Sequence, residues 1–308
     1  MVEKLRKRAD LHTHTSFSDG DLTPRELLRR ASLAGVSVIS ITDHDTMGAY
    51  SPENFEYAQS LGLLLVPGIE ISSTDSETGD TVHVLGLNVQ PTNSSIRGLC
   101  STLRQVRIEY LLLAHEFMAT LGLRVRYQEL IESGTSVTKA HIARDIMNNP
   151  ENKRSLERLY ADGKPTQGRF IEDWLLPDKI GTTSTSHSRV STAEAVAIVQ
   201  EAEGLAFCAH PSFNVMRGLS LSAMHNLILK NRFDGVEVYN IQYNKSDGDS
   251  EFNMVSSFRD FARRNGLRIS GGSDFHSDDS ELWGNNVDIG LINTPYLFDQ
   301  AQAHEALK

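Results

Sequence analysis

Short apolar strands alternate with capped helices at the start of this chain, and this alternation constrains the fold more than any other feature. Residues 23–26 (Thr-Pro-Arg-Glu) predict a helix start, with a capping residue, an early proline and a glutamate three positions after the cap. Residues 36–42 then predict a strand, and a second helix and strand follow at 51–60 and 63–66. This βαβ spacing is typical of a parallel sheet or barrel.

The alternation stops in the middle of the chain and then resumes. From residue 92 to residue 188 the sequence has helical patterns and no strong strand. Strands are predicted again at residues 205–209, 235–239 and 267–270, and a helical pattern precedes each one. We therefore expect an α/β domain formed by residues 1–91 and 189–308, with residues 92–188 inserted as a helical domain that caps the substrate.

Residue types that bind metals fall mainly at or just after these predicted strands. His12 and His14 lie two positions apart, which puts both side chains on one face of a strand, and Asp274 and His276 repeat that spacing. The full set of candidates is His12, His14, Asp19, His44, Glu70, His83, His210, Asp274 and His276. One ion uses about four to six donors. The set therefore predicts a cluster of two or three metals, with Glu70 as the bridge.

Some residues in these motifs also have a purely structural explanation. His83 lies inside an apolar strand, where a hydrogen-bonded core histidine is the commoner case. Cys208 lies two residues before His210, and a small buried core residue is its commoner role. Asp43 and Asp45 flank His44, and we expect them to support the ligands or the turn instead of binding a metal.

Composition excludes several classes of function. The net charge of −10 argues against a protein that coats long nucleic acid. No apolar run is long enough to cross a bilayer, and the charged first eight residues lack the apolar core of a signal peptide. Two cysteines far apart in sequence favour a reduced, cytoplasmic protein. Residues 97–189 hold 14 basic and 11 acidic residues, which suits contact with an anionic substrate or reflects solvated helix faces.

Five short motifs, in this order along the chain, resemble those of the polymerase and histidinol phosphatase (PHP) family. They are His12-x-His14, Thr42-Asp43-His44-Asp45, Pro67-Gly68-Ile69-Glu70, Ala209-His210-Pro211 and Gly272-Ser273-Asp274-Phe275-His276. The resemblance implies a distorted (β/α)7 TIM-like barrel with a trinuclear metal centre. It implies one metal on His12, His14, Glu70 and Asp274, a second on Glu70, His83 and His210, and a third on Asp19, His44 and His276. His83 is a ligand under this assignment.

The middle of the chain is similar to that of the PHP subgroup acting on nucleoside 3′,5′-bisphosphates and short RNA 5′ ends. That subgroup has an Arg-Pro-His-Ile-Ala-Arg run, and residues 139–144 here are Lys-Ala-His-Ile-Ala-Arg. The resemblance implies that Lys139, His141 and Arg144 hold a second or terminal phosphate of the substrate. The alternative is an ordinary solvated helix face.

Together these features predict a metal-dependent hydrolase of phosphate monoesters, acting on a nucleoside 3′,5′-bisphosphate to release phosphate and a 5′-monophosphate. Three divalent ions, with Mn, Fe or Zn suiting the donors best, would act through a bridging hydroxide. The expected partners are a small phosphorylated substrate or the end of a short single-stranded RNA or DNA. Histidinol-phosphate phosphatase, an exonuclease acting on short nucleic acid and a non-catalytic metal-binding module stay open as alternatives. An amidohydrolase is more distant, because no lysine is clearly placed to bridge two metals.

Overall fold

The computed structural model describes residues 8–163, 165–181, 189–240, 242–244, 250–277 and 288–289. The charged residues 1–7 and most of the predicted boundary near residue 188 lie outside these ranges. The strands are β1 (Arg8–Asp10), β2 (Val36–Ile39), β3 (Leu64–Leu65), β4 (Gly68–Thr74), β5 (Thr81–Leu87), β6 (Leu205–Cys208), β7 (Gly235–Tyr239), β8 (Gln242–Asn244), β9 (Ser250–Phe252) and β10 (Arg268–Gly271). The helices are α1 (Pro24–Leu33), α2 (Pro52–Ser60), α3 (Ser94–Thr120), α4 (Tyr127–Glu132), α5 (Lys139–Asn148), α6 (Lys153–Leu159), α7 (Gln167–Trp174), α8 (Thr192–Glu201), α9 (Pro211–Met216), α10 (Leu221–Lys230) and α11 (Val255–Arg264), with a 3-10 turn at Pro150–Asn152.

Two main sheets make up the scaffold. Strands β1, β2 and β3 pair in that order, and all three are parallel. The second sheet has the order β10-β7-β6-β5-β4, in which β10, β7 and β6 are parallel and β5 runs antiparallel to both of its neighbours. Strands β8 and β9 form a separate antiparallel pair. The fold is therefore mixed α/β, as the alternation predicted.

Isolated bridges join the two main sheets near the candidate ligands. Thr13 pairs with Phe275, and His44 pairs with Glu70, both in the parallel sense. The N–H of His14 also donates a hydrogen bond to the carbonyl of Phe275 at 2.9 Å. The segments that follow β1, β2 and β10 therefore meet at one end of the sheets, where the candidate ligands lie.

The helix starts follow the capping patterns of the sequence. At α1, the Thr23 hydroxyl accepts from the N–H of Glu26, and the Glu26 carboxylate accepts from the N–H of Thr23 at 2.9 Å. The same reciprocal pair forms between Ser191 and Glu194 at α8. Each pair satisfies backbone donors that a helix start otherwise leaves unpaired. None of the helices in the described ranges is long and apolar enough to span a membrane.

The apolar side chains form separate clusters. A large cluster lies on the five-stranded sheet and includes Val84 and Val236. Another packs among α3 to α7 and includes Leu111 and Phe170, both fully buried. We call residues 94–174, which hold α3 to α7, the helical segment. Its described residues contain no strand, in agreement with the helical pattern of the sequence.

The chain departs from the predicted alternation after β3. Strand β3 is only two residues long, and the chain then enters β4, which pairs antiparallel with β5 along its whole length. Asp75 closes the turn between them by accepting hydrogen bonds from the N–H groups of Glu77 and Thr78. Glu70 consequently lies within a strand and not after one, so its side chain direction is set by the β4–β5 ladder.

Candidate metal centre

The histidines that follow β1 point at two carboxylates, the buried Glu70 and the partly buried Asp274. His12 Nε2 lies 3.3 Å from Glu70 Oε2 and 3.3 Å from Asp274 Oδ1. His14 Nε2 lies 3.3 Å and 3.2 Å from the same two oxygens. One ligand atom from each of these four side chains lies within 4.8 Å of the others. The structure thus brings together the four residues that the family resemblance assigns to the first metal.

Glu70 lies at the centre of the whole cluster. Its side chain is 1% exposed, and its oxygens face five imidazoles at 2.9 to 3.3 Å. These imidazoles belong to His12, His14, His44, His83 and His210. Oε1 faces the last two, and Oε2 faces the other three. A carboxylate whose two oxygens face two different sets of donors is suited to bridge two ions.

A second group of ligand atoms surrounds Asp19. Its Oδ1 lies 3.4 Å from His276 Nε2, and its Oδ2 lies 3.7 Å from His44 Nε2. His14 Nδ1 is 3.8 Å from Asp19 Oδ1. These four side chains form another possible metal site, in which His14 joins the three residues that the sequence assigned to the third metal. His14 therefore faces both groups, whereas the sequence placed it in one.

The remaining candidates lie around the other oxygen of Glu70. His83 Nδ1 and His210 Nε2 lie 2.9 Å and 3.0 Å from Glu70 Oε1. Ligand atoms of His44, Glu70 and His83 are close enough together to hold an ion. The His83 side chain is 24% exposed and opens toward solvent. All nine predicted ligands therefore lie in one connected cluster, and their division among individual ions stays a prediction.

The backbone adopts uncommon conformations at two of these residues. His210 and Asp274 have φ angles of 26° and 54°, which residues other than glycine seldom adopt. Gly272 also passes close to the backbone of His12: a Cβ at residue 272 would lie 2.4 Å from the backbone nitrogen of His12. Such strain concentrates at functional sites. Here the two unusual backbone conformations belong to His210 and Asp274, whose side chains point into the cluster.

A buried carboxylate that the sequence analysis did not single out holds His12 in place. Glu237, in β7, accepts a hydrogen bond from His12 Nδ1 at 3.0 Å and from the N–H of His210 at 2.7 Å. A proton held on Nδ1 leaves Nε2 free to bind a metal. The sequence does contain one indication of this role. Glu237 lies within the apolar run 235–239, and a glutamate is almost never fully buried without a partner.

Asp43 supports the turn that follows His14. Its carboxylate accepts hydrogen bonds from the Thr15 N–H at 2.7 Å, the Thr15 hydroxyl at 2.6 Å and the Ser18 hydroxyl at 2.7 Å. Burial raises the pKa of Asp43, although the charge of His14 and these hydrogen bonds oppose the rise. Asp43 therefore stabilises the turn, the role expected of it from its place beside His44.

Charges within the cluster shift the pKa of its members. Burial alone would raise the pKa of Glu70, but the imidazoles of His44 and His12, with others, hold it well below its usual value. Burial would lower the pKa of His14, but Asp274 and Glu70 raise it to about 10. A metal ion must therefore displace a proton from His14, so metal affinity falls as the pH falls.

Several polar atoms in the cluster have no hydrogen-bond partner among the described residues. These buried atoms are His12 Nε2, His14 Nε2, Asp19 Oδ1, His44 Nδ1 and Glu70 Oε2. An unpaired buried polar atom costs about 1–3 kcal/mol, and a cation among these atoms would give each of them a partner. Imidazole nitrogens with carboxylate oxygens suit Mn, Fe and Zn. The residues present therefore fit a metal cluster.

Adding a divalent metal to the chelator-treated protein is expected to raise its Tm. An ion that binds only the folded state stabilises it by about 2.7 kcal/mol at a hundredfold excess over its Kd. Differential scanning calorimetry with and without Mn²⁺ or Zn²⁺ measures the shift. An unchanged Tm at saturating metal, with no metal retained after desalting, would contradict the assignment of a metal centre.

A cavity of about 510 Å³ opens beside the cluster. Its lining includes the ligand candidates His44 and His210 together with three cations, Lys139, Arg107 and Arg217. Apolar side chains also line it, including Tyr110, Ile171, Leu176, Phe213 and Leu219. The rest of the lining includes polar residues, among them the carboxylates Asp19 and Asp80. This volume lies in the range of small-molecule sites. The arrangement suits a ligand with an apolar or aromatic part and more than one anionic group.

Lys139, the first residue of α5, is the predicted substrate contact that lines this cavity. Burial, with the charges of Arg217 and Arg107, lowers the pKa of Lys139 to about 8. Its ammonium lies 5.9 Å from the ring centre of Tyr110. No ion pair among the described side chains involves Lys139, so a bound anion would be its first charged partner.

The other two predicted substrate contacts, His141 and Arg144, meet groups of the protein itself. Arg144 Nη2 lies 2.9 Å from Asp21 Oδ1. His141 Nδ1 accepts a hydrogen bond from the N–H of Thr138 at 3.0 Å, which caps the start of α5. The three side chains that the sequence grouped together therefore have different surroundings, and their contact with substrate stays a prediction.

Comparisons with known proteins agree with this geometry. The PHP domain description matches residues 10–166 of the chain. The chain is 27% identical to a phosphoribosyl 1,2-cyclic phosphate 1,2-diphosphodiesterase of Eggerthella lenta, over 87% of this chain and 93% of that protein. It is equally similar to a 3′,5′-nucleoside bisphosphate phosphatase of Chromobacterium violaceum, over 87% of each chain. It is also 27% identical to the 5′-3′ exoribonuclease Rnm of Escherichia coli, over 87% of this chain and 84% of that protein. The domain match covers just over half of the sequence, and the chain belongs to the PHP domain family.

Proposed function

We propose that this protein is a metal-dependent phosphoesterase that converts a nucleoside 3′,5′-bisphosphate into the 5′-monophosphate and phosphate. The observation that carries the proposal is a partly buried lysine, Lys139, without a carboxylate partner among the described residues, in a cavity beside the cluster of metal-ligand types. A substrate with two phosphates offers one group to the cluster and one to Lys139. The Chromobacterium violaceum relative is named for this activity.

We propose three divalent ions, Mn, Fe or Zn, as cofactors. The first would bind His12, His14, Glu70 and Asp274, the second Glu70, His83 and His210, and the third Asp19, His44 and His276, with His14 also facing the third. The convergence of the side chains supports the first and third sets. For the second set, the support is the position of His83 and His210 at 2.9 Å and 3.0 Å from Glu70 Oε1. When bound, such ions activate water and offset the charge that develops on the phosphate oxygens.

The protein's own residues would orient both partners. Glu237 keeps the proton of His12 on Nδ1 and so directs Nε2 into the cluster. Lys139 would hold the phosphate that is not cleaved, while the other phosphate faces the cluster. The apolar side chains of the cavity would exclude bulk water from the nucleoside, which strengthens the charge interactions inside.

We also propose that the scaffold is a distorted (β/α)7 barrel formed by residues 1–91 and 189–308. The bridges at Thr13–Phe275 and His44–Glu70, which join the two main sheets, support closure. Residues 92–188 would form an inserted domain that caps the site. The separate apolar cluster among α3 to α7 supports this division. So do Lys139 and Arg107, the two cationic residues that this part of the chain contributes to the cavity.

The 5′-phosphorylated end of a short RNA is the second candidate substrate. The Escherichia coli relative is named as a 5′-3′ exoribonuclease. A terminal nucleotide would present its phosphate and ring to the same cavity. The net charge of −10 argues against a long electrostatic footprint on nucleic acid. Contact would therefore be confined to the end of the strand.

A substrate panel distinguishes these candidates. The metal-replete protein is offered adenosine 3′,5′-bisphosphate, AMP, histidinol phosphate, a 5-phosphoribosyl 1,2-cyclic phosphate and a 5′-phosphorylated oligonucleotide. We expect the highest kcat/KM with the bisphosphate and no activity after chelation. A higher kcat/KM with the oligonucleotide would make the exonuclease the main function. No phosphate release from any compound would overturn the proposal.

Replacing Lys139 with alanine is expected to raise KM for the bisphosphate about 10- to 100-fold with little change in kcat. The range follows from the loss of one charge-assisted hydrogen bond, about 1.5–3 kcal/mol. KM for 3′-AMP, which lacks the second phosphate, should change little. Steady-state kinetics on both substrates measures the change in KM for each. Lys153→Ala, at an exposed site in α6, is the control. Equal effects on the two substrates would contradict the assignment.

The pKa of Lys139 gives this site a pH dependence. The ammonium is charged below pH of about 8 and loses its charge as the pH rises through that value. KM for the bisphosphate should therefore rise above pH 8 in the wild-type protein and stay flat in Lys139→Ala. Kinetics from pH 6.5 to 9.5 on both proteins tests this. Parallel profiles would show that another group titrates.

A further inference from the structure

The turn that carries Asp19 is attached to the helical segment on both sides of that residue. Before it, the carbonyl of Phe17 accepts a hydrogen bond from the N–H of Ser136 at 2.9 Å. After it, Asp21 forms the ion pair with Arg144 in α5 at 2.9 Å. Both contacts link residues that are more than a hundred positions apart, so they depend on how the helical segment is placed.

The helical segment also holds the loop that carries His44. Arg107 in α3 donates from Nε to Asp45 Oδ2 at 2.7 Å, from Nη2 to the Ser72 hydroxyl at 3.0 Å and from Nη1 to the Val137 carbonyl at 3.2 Å. Asp45 is buried with a φ of 56°, and its other oxygen accepts from the Ser72 N–H at 2.7 Å. His44 directly precedes Asp45, so its backbone position depends on this contact.

The ligands around Glu70 are supported from the sheets instead. Glu237 in β7 binds the ring of His12. The N–H of Asp274 donates to the carbonyl of His12 at 2.8 Å. Glu70 itself is part of β4. The two ligand groups therefore have different supports, although they share His14 and His44.

We propose that the helical segment positions one ion of the cluster, the ion of the Asp19–His44–His276 group, and that Arg144 and Arg107 are positioning residues for it. The proposal rests on the proposed function only in requiring that the cluster binds metals. Loss of a group that supports a metal ligand typically costs about 10- to 100-fold in metal affinity. Detaching Arg144 therefore weakens this ion selectively, and detaching Arg107 weakens it through His44, which also faces Glu70.

Metal titration of the substrate-free protein tests this proposal. Wild type, Arg144→Ala and Arg124→Ala are stripped with a chelator and titrated with Mn²⁺, and bound metal is measured by equilibrium dialysis. Arg124 is a matched control, since it pairs with Glu151 at 2.9 Å within the helical segment. We expect Arg144→Ala to weaken one ion at least about tenfold and to leave the others unchanged. Arg124→Ala should match wild type.

Two further variants keep the result decisive. Arg107→Ala should weaken the same ion, and Asp21→Arg combined with Arg144→Asp should restore it, because the ion pair is re-formed with its charges exchanged. No substrate is present, so any role of Arg144 in substrate binding does not affect the isotherms. Wild-type isotherms for both single variants, or equal weakening of all ions in folded protein, would overturn the proposal. A wild-type protein that binds no metal would overturn the proposed function instead.

Discussion

Glu70→Gln is expected to lower kcat/KM for phosphate release by at least about 10³-fold, or about 4 kcal/mol of transition-state stabilisation. The substitution keeps the volume of the side chain but replaces one carboxylate oxygen with an amide donor. Each oxygen of Glu70 faces at least two imidazole nitrogens at 2.9 to 3.3 Å. Either orientation of the amide therefore points N–H groups at a set of metal donors and removes the bridging charge.

Two measurements separate this effect from unfolding. Metal content after dialysis should fall together with kcat/KM, while circular dichroism of the chelator-treated protein should match wild type. Glu151→Gln is the control, because Glu151 is an exposed glutamate paired with Arg124 in the helical segment. Wild-type metal content and activity in Glu70→Gln would show that this carboxylate is not a ligand.

Glu237→Gln is expected to weaken metal binding and kcat/KM by about 10- to 100-fold, the usual effect of removing a carboxylate behind a ligating histidine. Glu237 accepts from His12 Nδ1 at 3.0 Å and from the N–H of His210 at 2.7 Å. An amide has only one acceptor oxygen, so one of the two contacts becomes a clash between donors. His12 then loses the group that fixes its tautomer.

Excess metal distinguishes positioning from direct ligation. Raising the Mn²⁺ concentration should restore most of the activity of Glu237→Gln, since the ligands themselves are intact. The same treatment should not restore Glu70→Gln. A metal isotherm of Glu237→Gln that superimposes on wild type would show that Glu237 has only a structural role.

The candidate ligands could be predicted from the sequence because residue type and short-range spacing identify them. The i, i+2 spacing of His12 and His14 follows from the geometry of an extended chain. The carboxyl ends of parallel strands meet at one edge of a sheet, which brings His44, His210 and Asp274 together from distant positions. Residue type after a predicted strand was therefore sufficient to propose these positions, whereas His83, inside a strand, became a ligand only through the resemblance to the PHP family.

The supporting residues were harder to predict because their signals are not local. Glu237 is one glutamate among many in the sequence, and its role depends on a strand that is more than two hundred residues from His12. The antiparallel β4–β5 pair was also missed, because the sequence pattern predicted a strand at residues 63–66 and none at residues 68–74. Strand direction depends on partners that a local pattern does not identify.

The predicted substrate contacts show most clearly the difference between what the sequence predicts and what only the packing decides. The resemblance to the PHP subgroup grouped Lys139, His141 and Arg144 in one motif, whereas the structure places Lys139 in the cavity and pairs Arg144 with Asp21. The sequence by itself determined the residue types of the metal centre, the alternating α/β segments and the position of the helical segment. Only the tertiary structure decided which charges are already paired within the protein and which face the cavity. The reason is physical: a spacing along one element sets the relative direction of side chains, but the partner of a charge is set by the packing of other elements against it.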